Sequence, residues 1–366
     1  MLSLTCRSDY LCVPKENITL TLRERIELLA ELGHYLREPA DAAVEAVIQQ
    51  AYAANRWFTP ENVRCALSAI AEAFLDEEKL TKWAGRYPLP DAPHPQKTVG
   101  LIMAGNIPLV GFHDWLCTFV AGHRAVVKLS EKDRYLLPFL VHQLGRRHFE
   151  SWEYTSFLEE GERLADFDAV IATGSNNTAR YFEYYFGRYP HIIRRNRNSV
   201  AVLTGYESDD ELRALNRDIF TYFGLGCRNV SKVYVPHGYR FDHWLAILAE
   251  PREVLLHDKY KNNYDYTLTL FLLNGIAHHN SGCILLREER ALQARLASLH
   301  YEYYDDLYDL DERLAEWKDA IQCIVGRVRL RDFRPLPFGK SQEPALDDYA
   351  DGVDTLAFLA ELYHRQ

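Results

Sequence analysis

Beyond residue 98 the chain keeps returning to one pattern: a short apolar run rich in β-branched residues, then a segment with helical spacing. The runs are Val99–Ala104, Ala125–Leu129, Ala169–Thr173, Val200–Leu203 and Val230–Val235. Helical stretches over Leu109–Gly122, Arg134–Arg147, Thr178–Phe186 and Asp210–Phe223 separate them. Strands joined through helices cannot pair as tight hairpins. They pair in parallel, with the crossover helices covering the sheet faces. The pattern predicts an α/β fold built on a Rossmann-type parallel sheet, in which ligands sit at the carboxyl ends of the strands.

The first 95 residues read differently. Thr21 and Glu24 have the spacing of a capping box, followed by a helical stripe of Ile26, Leu28, Leu29, Leu32 and Leu36. Ala43–Ala53 suggests a second helix, and Thr59-Pro60 starts a third whose apolar face runs Val63, Ala66, Leu67, Ile70. The stretch YPLPDAPHP, residues 87–95, holds four prolines in nine residues and cannot be a helix interior. At 366 residues, two packed domains are expected.

The formal net charge of −10 argues against general nucleic-acid binding, which needs a basic face. A local basic cluster, Arg194, Arg195 and Arg197, could still meet a phosphorylated ligand. No charge-free apolar stretch reaches the roughly 18 residues of a membrane span. MLSLTCRSDYLCVPKEN does not read as a signal peptide. Seven scattered cysteines without tight pairs predict a reducing, cytoplasmic setting rather than a disulfide framework.

Four short segments bear chemistry. Asn106, in Gly105-Asn-Ile-Pro108, follows a strand and can offer an amide to a developing oxyanion. Lys128, Ser130 and Glu131 end the next strand, where Lys can donate to ribose hydroxyls and Glu can accept from them. Gly174 and Ser175 open a helix whose N-terminal N–H groups can hold a phosphate. Cys227, in Gly224-Leu-Gly-Cys-Arg228, sits where a thiol can face a cleft, with Arg228 able to favour the thiolate. Each has an ordinary alternative: a turn-shaping Asn, a surface charge pair, a Ser-capped helix, a structural Cys. His278 and His279 are adjacent, so they point to different faces, and no metal site is predicted.

In this order the segments resemble the aldehyde dehydrogenase superfamily, most closely its acyl-CoA reductase branch, which includes the LuxC-type fatty acyl reductases of bioluminescence. The matching stretches are GNIPLVGFHDWL, AGHRAVVKLSEKD, AVIATGSNNTARYF, RRNRNSVAVLTG, GLGCRNVSKVYVP and FGKSQEPALDDYADGVDTLAFL, from about Thr98 to Phe358. The resemblance implies an N-terminal helical segment (1–95), a nucleotide-binding domain (96–204), a catalytic domain (205–335) and a tail (336–366) returning to the cofactor domain or to an oligomer interface. It implies Cys227 as nucleophile and Asn106 with the Cys227 N–H as oxyanion donors. Lys128, Ser130, Glu131, Gly174 and Ser175 would hold the cofactor, NADPH, with NADH also usable. The substrate would be acyl-CoA or a carrier-bound acyl thioester, reduced to an aldehyde; an acyltransferase partner and a homo-oligomer are compatible. Acid-forming relatives carry a water-activating Glu just before the strand that here reads Ser199-Val-Ala-Val. This chain has Ile193-Arg-Arg-Asn-Arg-Asn198 there, without a carboxylate. An acid-forming dehydrogenase and a non-catalytic homologue remain the alternatives.

Overall fold

The capping box forms as its spacing implies. Thr21 Oγ1 accepts from the Glu24 N–H at 3.2 Å, and the Thr21 N–H donates to Glu24 Oε2 at 2.7 Å. It starts α1 (Leu22–Arg37), the first of four N-terminal helices with α2 (Ala42–Ala54), α3 (Pro60–Ala73) and α4 (Glu77–Ala84). The computed structural model describes residues 19–38, 41–92 and 95–365. The expectations for residues 1–17, with Cys6 and Cys12, and for Pro93 and His94 lie outside the described residues.

After them come β1 (Thr98–Ile102), α5 (Phe112–Ala121), β2 (Arg124–Lys128), α6 (Leu136–Arg147), β3 (Thr155–Phe157), β4 (Ala169–Thr173), α7 (Asn176–Phe186) and β5 (His191–Arg194). Their five strands form one parallel sheet in the order β3-β2-β1-β4-β5. Val99, Leu101, Val127 and Ile171 bury in one core with Leu29 and Leu32 of α1, so the N-terminal helices complete this domain. Helix α5 begins three residues later than the sequence suggests. Leu109 holds a left-handed backbone (φ 56°), which no α-helix admits, so residues 103–111 remain a loop.

The second half contains β6 (Asn198–Val202), α8 (Asp209–Phe220), β7 (Val230–Pro236), α9 (Phe241–Leu248), α10 (Asp258–Leu273), β8 (His279–Asn280), β9 (Leu285–Glu288), β10 (Ser298–Tyr304), α11 (Leu307–Glu316) and β11 (Ile321–Gly326). Its sheet runs β11-β6-β7-β10-β9-β8, parallel except for the β8–β9 pair. Along β6, Ala201 faces one apolar cluster while Val200 and Val202 face another; both sheet faces are covered. The last α-helix among the described residues is α12 (Thr355–Glu361), followed by a short 3₁₀ turn over Leu362–His364.

Strand β6 departs from the expected division at residue 204. It pairs with β7 and β11, so the change of sheet falls between Arg194 and Asn198. A short apolar β-branched run has the same local signature in either sheet, and only its distant partner decides. The tail returns to the first domain: Leu356 and Leu359 join its core, and Leu359 O pairs with His123 Nε2 at 2.9 Å.

Candidate active site

The in-register pairs Ile102–Lys128, Ile102–Ala172 and Thr173–Arg194 align the carboxyl ends of β2, β1, β4 and β5. Sequence order reverses at β1: the chain runs outward from β1 through β2 to β3, then crosses back to place β4 on the other side of β1. The resulting crevice is the usual ligand position in such sheets. Asn106 lies in the loop after β1, Ser130 and Glu131 in the loop after β2, and Gly174 and Ser175 after β4. Lys128, Glu131, Ser175 and Asn106 are exposed. Ser175 caps α7, accepting from the Thr178 N–H at 3.2 Å.

Gly105 lets the first two loops meet: a Cβ there would stand 2.6 Å from Ser130 Oγ and 2.7 Å from Ser130 Cβ. Asp133 secures the junction. It is buried, and its Oδ2 accepts the Leu109 N–H at 2.7 Å, while Oδ1 has no partner among the described residues. Burial pushes its carboxyl up to about 7, against the pull of the Leu109 and Leu136 N–H groups. Folding therefore favours the protonated acid. The associated stability is fully present below the ordinary value of 3.8 and is lost as pH rises through about 7. Asp133→Asn, which keeps the acceptor for Leu109, is expected to remove this slope, worth at most about 4 kcal/mol. Urea midpoints at pH 4.5 and 8 check it; equal pH dependence in both proteins would contradict it.

Cys227 lies in the turn between α8 and β7, partly exposed. Asn229 staples that turn. Its Nδ2 donates to Thr221 O at 2.8 Å and Asp218 O at 3.0 Å, and its Oδ1 accepts the Gly226 N–H at 2.8 Å. The two halves of the candidate site meet here. Asn106 Nδ2 donates to Leu225 O at 2.8 Å, two residues before the thiol. On β6, Ser199 Oγ donates to Cys227 O at 3.0 Å.

Two expectations are corrected. Arg228 does not leave Cys227 a thiolate: burial dominates, and with help from the Asp351 charge it pushes the thiol up to about 11 despite the opposing arginine. Arg228 is itself engaged, with Asp348 at 2.6 Å and Ser341 O at 2.5 Å. The basic cluster is likewise committed within the fold. Arg194 is buried between Asp114 (2.7 Å), Thr355 Oγ1 (2.8 Å) and Ala350 O (2.5 Å). Arg195 pairs with Glu183, and Arg197 with Asp351 at 3.1 Å. Arg194 and Arg197 tie the tail to the fold, and together with the Arg195–Glu183 pair they leave little charge for a phosphate.

Sequence reasoning missed Asn229, Ser199 and Asp351. Asp351 brings a carboxylate within electrostatic reach of the thiol from the tail, at a left-handed position (φ 62°). The meeting of this residue with the cysteine turn, more than a hundred residues apart in the chain, carries no local signal.

The architecture, a parallel cofactor-type sheet with N-terminal helices and a second mixed sheet, is the aldehyde dehydrogenase fold. Among solved structures, it is similar to aldehyde dehydrogenase 21 from Physcomitrella patens in complex with succinate. That match has a TM-score of 0.62 and 12% identity, over 84% of this chain and 74% of that one. An NADP-dependent enzyme of E. coli gives 0.61 and 13%, over 80% and 71%. The NAD+ complex of a Bacillus cereus aldehyde dehydrogenase gives 0.58 and 14%, over 80% and 69%. No protein-family model matches the sequence, and no curated protein does. At such identities the likeness defines the fold.

Proposed function

We propose that the protein reduces an acyl thioester to an aldehyde through an acyl group carried on Cys227. The observation that carries this reading is the 2.8 Å bond from Asn106 Nδ2 to Leu225 O, which sets a strand-end amide against the cysteine turn. Lys128, Glu131 and the N-terminus of α7 give the β1 crevice a cation, an acceptor and helix N–H groups. That donor set fits a nicotinamide dinucleotide. Lys128, Ser130, Glu131, Gly174 and Ser175 would hold it.

In the proposed reaction Cys227 gives its proton to solvent and its thiolate attacks the thioester carbonyl. Asn106 releases Leu225 O and donates to the oxyanion, together with the Cys227 N–H. Collapse expels the substrate thiolate, a good leaving group, and leaves the acyl group on Cys227. When bound, a reduced nicotinamide would supply the hydride; NADPH is proposed, with NADH also usable. Asn106 then holds the oxygen of the thiohemiacetal until Cys227 leaves as thiolate and the aldehyde departs.

A second reading, oxidation of an aldehyde to an acid, is favoured by the Asp351 carboxylate near the thiol. Its pairing with Arg197 ranks that reading lower, because an arginine-bound carboxylate is a weak base for water. The experiment is NADPH and NADH consumption against a panel of acyl thioesters, with product identification. Aldehyde from thioester supports the proposal. Acid from aldehyde, with no thioester turnover, refutes it. Within this scheme Asn106→Ala is expected to lower kcat by about 10²–10³ with a smaller change in KM, because the donor acts mainly in the transition state. A loss confined to KM would assign Asn106 to substrate placement alone.

A further inference from the structure

Just before the cysteine turn the backbone does something unusual. Tyr222 (φ 53°, ψ 27°), Phe223 (φ 58°, ψ 23°) and Gly224 (φ 76°) are three consecutive left-handed residues. Glycine takes this conformation freely, but two aromatic residues do not, and such strain persists only where the surroundings impose it. Those surroundings come from the N-terminal helices. Tyr222 is buried, and burial and then the Cys65 thiol of α3 push its hydroxyl up. The Phe223 ring lies 5.4 Å from Trp57 and 4.4 Å from His257, and Trp57 stacks on His257 at 4.7 Å. His257 Nε2 meets Arg56 O at 2.8 Å, closing the cluster between the α2–α3 connection and α10.

The strained run feeds directly into the site. Leu225 N–H donates to Tyr222 O at 3.1 Å, and Leu225 O receives Asn106. A change of backbone at 222–223 therefore moves the carbonyl that Asn106 meets and the thiol two residues beyond.

We propose that Trp57 is a positioning residue for Cys227, its ring clamping Phe223 in the left-handed run that sets the cysteine turn. The catalytic part of this rests on the reading of Cys227 as nucleophile; the clamp itself does not. The N-terminal helical segment thus belongs to the machinery of the site as well as to the core.

The test uses the full chain. In Trp57→Ala, amide hydrogen exchange over residues 224–229 should quicken roughly tenfold, the population factor of one left-handed residue. The kcat should fall by a similar factor with KM unchanged. Adding Phe223→Gly should reverse both, because glycine takes φ near 58° without the steric cost that the clamp otherwise offsets. If Trp57→Ala does not fold, Trp57→Leu, which fills the space without a ring face, replaces it. Unchanged exchange in a folded variant overturns the proposal. So does faster exchange that Phe223→Gly fails to reverse, since Trp57 would then not act through backbone strain. Faster, reversible exchange with kcat unchanged overturns the catalytic role. If reduction also survives Cys227→Ala, the failure lies in the nucleophile reading, while the exchange data uphold the clamp.

Discussion

On the proposed reading of Cys227 as nucleophile, Cys227→Ala is expected to abolish both the covalent acyl adduct and aldehyde formation, a loss of at least about 10⁴-fold. Stability should change by no more than about 1 kcal/mol, since the side chain is partly exposed and its turn is stapled by Asn229. The other described thiols sit in different settings. Cys117 and Cys283 are fully buried, and burial raises both. Cys65 is exposed on the N-terminal helices, and Cys323 shares its hydrogen with Ser199 Oγ at 3.1 Å. Intact mass and peptide mapping after incubation with an acyl thioester should place the adduct on Cys227; an adduct on any other cysteine overturns the assignment. The pH dependence follows from the thiol held at about 11. At pH 7 only about 10⁻⁴ of it is thiolate. Acylation of the cofactor-free protein should therefore accelerate about tenfold per pH unit from 7 to 10. A plateau by pH 8 would show a thiol already activated at rest.

The largest expected stability effect lies at Arg194. Arg194→Ala leaves the Asp114 carboxylate half of a broken, largely buried pair and strips partners from Thr355 and Ala350 O. Breaking such a pair costs about 3–5 kcal/mol, a large share of a domain's roughly 5–15 kcal/mol. The tail should loosen with it, carrying away Asp351. Arg195→Ala is the control: its pair with Glu183 is solvent-exposed, and such pairs contribute about 1 kcal/mol or less. Urea unfolding of the two variants side by side is the measurement. Equal midpoints would mean that Arg194 does not hold the tail.

That contrast marks the boundary of what the sequence could convey. Arg194 and Arg195 are neighbours of identical type. Arg194 ends β5 buried and Arg195, just past the strand, lies exposed, but only the arrival of α5 and the tail turns burial into a structural clamp. The parallel sheet, the capping box and the strand-end positions of Asn106, Lys128 and Gly174 were legible because their signals are local: periodicity, caps and turns. The sheet to which β6 belongs, the Asn229 staple and the meeting of Asp351 with Arg197 were not. Each depends on a partner encoded far along the chain or on a side chain whose role is to pair with backbone.

The second sheet places β11 beside β6, although β11 is made more than a hundred residues later. The segment that anchors on Arg228 and Arg197 follows later still. During synthesis at about 5–20 residues per second, the cysteine turn emerges roughly 10 s before its neighbours exist. Through that interval the nascent chain carries a thiol without its final surroundings. The burial that raises the thiol is thus completed only near the end of translation, and a polypeptide stopped before residue 340 would hold Cys227 closer to an ordinary, solvent-exposed cysteine.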